Sequence, residues 1–70
     1  MKIKVTTPLG VFESDDETPP AGVTDKDRQG AAVMVRNELA AGKPLTLLKS
    51  DRAAIIPAGV LSQSVIEIFW

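Results

Sequence analysis

Apolar and polar positions alternate near both ends of the chain and fall at helical spacing in its middle. Lys2-Ile3-Lys4-Val5-Thr6 has period two, the pattern of a half-buried strand. Thr7-Pro8-Leu9-Gly10 interrupts it. Proline presets φ for the second turn position and glycine tolerates the left-handed conformation, so a tight turn is predicted. Val11-Phe12-Glu13 returns as a short second strand, making residues 2–13 a β-hairpin with Ile3 and Val5 toward the core. Ser14 to Gly22 carries five acidic or hydroxyl-bearing residues in a row and the pair Pro19-Pro20, which resists both helix and central strand. The 14–23 stretch therefore reads as a mobile loop.

Thr24 is a good N-cap, and Asp27 three residues later resembles a capping box. Asp25 and Asp27 suit the positive end of a helix dipole. Ala31, Ala32, Val35 and Leu39 form an apolar stripe bordered by Met34, while Arg28, Arg36, Asn37 and Lys43 point elsewhere. Gly30 weakens the first turns by about 1 kcal/mol relative to alanine, and Gly42 is a natural stop.

The last third is β. Leu45 to Lys49 reads as a strand, Ser50-Asp51-Arg52 as a turn, and Ala53 to Ile56 as the hairpin partner, stopped by Pro57. Pro57 to Leu61 is a helical turn or a bend. Ser64 to Trp70 is rich in β-branched and aromatic residues and reads as a strand. The predicted fold is a single α+β domain over 1–70: a small antiparallel sheet in the order β-β-α-β-β-β, with one helix packed on one face.

That arrangement leaves a mismatch of coverage. A sheet with one covered face should alternate apolar and polar residues. In the last strand Ile66, Ile68 and Trp70 share one side, with Val65 and Phe69 on the other. Leu48 opposes Leu45 and Leu47 in direction, and Ile55 opposes Ile56. One helix of about 16 residues, about 24 Å long, covers one face of a small sheet and not two. Either the sheet curls so that the first hairpin covers the second face, or that face or an edge docks on another molecule. The second reading makes Leu48, Ile56, Val65, Phe69 and Trp70 the candidate interface.

Composition bears on the choice. Seventy residues without cysteine or histidine have no disulfide and no thiolate or imidazole metal ligand. A domain this small buries only about 60 % of its unfolded surface, and oligomerisation is the remaining common reinforcement. A symmetric dimer is its commonest form. A partner protein adding a strand to an open edge would serve equally. Eight basic and nine acidic residues give a net charge of −1, so a dedicated nucleic-acid binder is not expected. No apolar run approaches the roughly 20 residues of a membrane span.

The chain offers little for catalysis. Its serines lack an imidazole base, and no cysteine or tyrosine is present. Glu13, Asp15, Asp16 and Glu17 cluster, but without the spacing or glycine of a calcium loop, so neither metal nor cofactor is expected. The five glycines are scattered and form no phosphate cradle. Arg36 and Arg52, with the Ser62–Ser64 stretch, are the candidates for binding an anion or small ligand.

The run Pro44-Leu45-Thr46-Leu47, then Ile55-Ile56-Pro57-Ala58-Gly59-Val60-Leu61, then Ser64-Val65-Ile66-Glu67-Ile68, resembles short uncharacterised proteins of bacteriophages and Gram-positive bacteria. In those a hairpin ends in an Ile-Pro step and is followed by a Val-x-Ile strand. The resemblance covers the last third of the chain, implies a phage or bacterial accessory protein, and carries over no functional residue. The resulting expectation is a non-enzymatic, self-associating interaction module, cytoplasmic or in a virion, whose partner is a host or virion protein. The alternative is a small-ligand or nucleic-acid binder with its site between subunits.

Overall fold

The computed structural model describes residues 1–17 and 21–70. Strand β1 (Lys2–Thr7) turns through Pro8-Leu9 into β2 (Gly10–Glu13). The Thr7 hydroxyl is the device that makes this turn. It donates to the Gly10 carbonyl at 2.9 Å and accepts the Leu9 N–H at 3.0 Å, which satisfies the one buried polar side chain among the described residues. Helix α1 (Asp25–Ala40) starts at the predicted Thr24 cap, and both halves of the capping box form. It ends in a Schellman motif. Lys43 N–H donates to the Glu38 carbonyl and Gly42 N–H to that of Leu39, with Gly42 at φ +68°, where a side chain would be strained.

Strands β3 (Leu45–Leu48) and β4 (Ala53–Ile56) form a tight hairpin. Then α2 (Ala58–Leu61), a single turn entered at Pro57, reverses the chain into β5 (Val65–Phe69). The expected α+β class and strand order hold. The strands, however, divide between two antiparallel sheets, β2-β1-β5 and β3-β4. The last strand leaves its sequence neighbours and pairs with the first, Ile3 opposite Ile68 and Val5 opposite Ile66.

The inward faces of the two sheets meet in a core of Val5, Leu47, Ile56 and Leu61, flanked by Ile3, Leu45, Ala54, Val60 and Ile66. Helix α1 lies along β5, with its first turns beside Trp70 and its last near α2. Of the predicted stripe only Val35 is buried. Ala31 is half-buried, and Ala32 and Leu39 are exposed; Ala32, Val35 and Leu39 border a shallow cleft with Ile66 and Ile68 of β5. The molecule is flat, 35 × 28 × 15 Å. Among the described residues no helix is long and apolar enough to cross a membrane.

The sequence predicts a mobile loop over 14–23. Its Thr18, Pro19 and Pro20 lie outside the described residues, but Ser14 to Glu17 is tied at every residue. Ser14 N–H donates to the Ile3 carbonyl at 2.9 Å, and its hydroxyl accepts the Ile3 N–H at 2.9 Å. The Asp15 N–H donates to the Leu48 carbonyl, while its carboxylate accepts the Ser50 N–H at 2.7 Å. Asp16 pairs with the Met1 ammonium at 2.9 Å, and Glu17 exchanges backbone bonds with Met1. The acidic segment is a strap that joins the two sheets.

Candidate interaction surface

The two sheets turn different outer faces to solvent. On β2-β1-β5 the outer face is ruled in rows by the pairing register. Val11, Thr6 and Val65 form one row, Glu13, Lys4 and Glu67 the next, and Lys2 and Phe69 the third. Opposite charges stand side by side in the middle row, an arrangement that stabilises cross-strand pairs. Lys2 Nζ lies 3.6 Å from Glu13 Oε2 and 5.3 Å from the centre of the Phe69 ring. Phe69, 43 % exposed, is thus already capped by an ammonium. Val65 is 62 % exposed but stands next to threonine and glutamate. Single apolar residues among charges are ordinary surface.

The outer face of β3-β4 is different. Thr46 stands opposite Ile55, and Leu48 opposite Ala53. All four are exposed, Leu48 at 69 % and Ile55 at 67 %, and none carries a charge. Round the edge of β4 this face runs into a small apolar notch of about 140 Å³ bounded by Leu9, Phe12, Ile55, Pro57 and Val60. The hairpin is thus apolar on both sides, one filling the core and the other bare.

The candidate interface residues therefore separate. Leu48 is on the bare face. Val65 and Phe69 are on the charged face of the other sheet. Trp70 is 45 % exposed beside α1, with the Arg28 guanidinium 5.9 Å from its ring. Ile56 is corrected outright: it is 4 % exposed and packs against Val5, Leu47 and Leu61. Its neighbour Ile55 takes its place outside. The alternation of the strand was legible in the sequence, but which of two adjacent isoleucines faced inward was not.

Arg36 and Arg52 stand at separate places. Arg36 borders a shallow cleft of about 260 Å³ with Leu39, Ser64, Ile66 and Ile68, and that cleft does not include Arg52. Arg52 is exposed at the β3-β4 turn. Ser64 donates its hydroxyl to the Val60 carbonyl at 2.6 Å and Ser62 to that of Gly59 at 2.8 Å, so both serve the end of α2. The carboxylates of Glu13, Asp15 and Asp16 go to three different partners. Among the described residues no three acidic groups converge as a metal site would require.

The chain exposes 4907 Å². A compact monomer of its 7.5 kDa mass would expose about 4,200 Å². The excess, about 700 Å², accords with its flat shape. Compared with known proteins, the chain matches no family model, no curated sequence and no solved structure.

Proposed function

We propose that this chain is a small non-enzymatic interaction module that self-associates through the uncharged strands of its β3-β4 hairpin. The observation that carries the reading is the exposure of Leu48 and Ile55 together on a face without a charged residue. A monomer keeps such a patch only at a cost in solubility, and contiguous apolar surface of this kind marks interaction sites. The phage-like hairpin and last strand extend the proposal to an accessory or structural protein of a phage or bacterium, acting in the cytoplasm or in a virion, with a host or virion protein as further partner.

Light scattering coupled to size-exclusion chromatography tests the first part. The expected mass is about 15 kDa, twice the 7.5 kDa chain. A mass of one chain at several hundred micromolar (roughly the limit of a weak complex) would remove the proposal. The position of its gene among tail, capsid or repressor genes separates the candidate partner classes.

A further inference from the structure

A two-stranded sheet has two edges, and in this molecule they differ. The edge of β3 is in part taken, because the Leu48 carbonyl accepts the Asp15 N–H at 3.2 Å. Among the described residues no strand is hydrogen-bonded to the edge of β4 away from β3, and only the apolar notch lined by Leu9 and Phe12 adjoins it. Its hydrogen-bonding phase follows from the turn, where Lys49 N–H donates to the Arg52 carbonyl at 2.8 Å. Bonded and non-bonded pairs alternate along an antiparallel ladder. Leu47 with Ala54 and Leu45 with Ile56 are then the bonded pairs. The N–H and C=O groups of Ala53 and Ile55 point outward. The Asp15–Leu48 bond agrees with this phase, since Leu48 stands opposite Ala53 and its carbonyl also points out of the hairpin.

We propose that this edge pairs with β4 of a second copy, antiparallel, about a two-fold axis centred on Ala54. The inference rests on the self-association reading and adds to it the strand and the register. A two-fold normal to the sheet preserves side-chain faces, so only residues of like parity can oppose each other. With Ala54 at the centre, Ala53 meets Ile55 of the second copy and each pair exchanges two bonds, four in all. With Ile55 at the centre, Ala53 would meet Pro57. Proline has no N–H, and the Pro57 carbonyl already accepts the Val60 and Leu61 N–H groups at 3.0 Å. That register keeps only two bonds.

Charge selects the same edge. Strands guard open edges with charges, prolines or bulges. The middle of β5 is Glu67, and pairing β5 with its copy sets two Glu67 carboxylates on one face no more than a diagonal step apart. The edge of β2 carries Glu13 and begins at Gly10. The four residues of β4 are Ala, Ala, Ile and Ile. The pairing also joins the two bare outer faces, each Ile55 lying against Ala53 of the other copy with Leu48 beyond.

Sedimentation of the full chain and of Ile55→Lys, Ala53→Pro and Val65→Lys tests the proposal, with circular dichroism to show that each variant folds. The expected result is a dimer for the parent and Val65→Lys, with dissociation constants raised about tenfold or more in the β4 variants. Ala54→Cys reads the register: in this cysteine-free chain it should oxidise to a covalent dimer, since non-bonded pairs bring Cα atoms to about 4.5 Å. Ile55→Cys should cross-link far more slowly. A dimer that survives Ile55→Lys and Ala53→Pro overturns the β4 contact and leaves self-association standing. Preferential cross-linking at Ile55→Cys overturns the register. A monomeric parent overturns both.

Discussion

Thr24 and Asp27 close the first turn of α1 on each other, the hydroxyl of one accepting the Asp27 N–H and the carboxylate of the other accepting the Thr24 N–H, each at 3.1 Å. The bond from the Thr24 backbone, and then its hydroxyl, hold the Asp27 carboxyl below its ordinary value of 3.8. A folded-state pKa below the unfolded one gives stability that is present above the ordinary value and fades as pH falls through the folded value. Asp27→Asn should therefore flatten the acid limb of helicity measured by circular dichroism between about pH 2 and 5. Thr24→Ala should cost about 1 kcal/mol at neutral pH in denaturant titration. Both residues were legible in the sequence, because a cap is written in consecutive positions. The tie between Asp15 and Ser50 was not. It spans 35 positions, and nothing local announces it. Asp15→Ala should cost about 1 kcal/mol and speed exchange of the Ser50 amide.

At the scale of the element, β4 shows how two neighbouring isoleucines come to do opposite things. Ile56 fills the core, so Ile56→Ala should cost about 2–5 kcal/mol, the usual range for large-to-small core changes. For a chain of this size, with a stability of about 5 kcal/mol, that is enough to unfold much of the population. Ile55→Ala should stay within about 0.5 kcal/mol in dilute solution. Thermal denaturation of the two variants at low micromolar concentration separates the roles. The strands, turns and helix ends followed from spacing and turn chemistry. The partition into two sheets did not, because it is decided by Ile3, Val5, Ile66 and Ile68 finding one another across nearly the whole chain. The helix stripe is less buried than its spacing predicts, for a related reason. Ala32 and Leu39 have the right spacing, but spacing does not say how much surface is there to receive them.

The whole molecule is a thin body with a small core: among the described residues, five apolar side chains are buried. If a second copy supplies the missing burial, the melting temperature must rise with protein concentration, by mass action. Melting curves a hundredfold apart in concentration should diverge by several degrees for the parent and coincide for Ile55→Lys. Removing Ile68, Phe69 and Trp70 deletes the pairs with Ile3 and Lys2 and the ring beside Arg28. That truncation should lower the melting temperature whatever the oligomeric state.

The three-stranded sheet draws its members from opposite ends of the chain, and this has a kinetic consequence. A β3-β4 hairpin or a capped α1 can arise from its own residues within microseconds. The first strand cannot be flanked on both sides until the last has been made. On the ribosome Ile3 and Val5 would wait, exposed, for Ile66 and Ile68 to emerge. Refolding should accordingly be paced by long-range closure, in milliseconds or slower, and not by its helix.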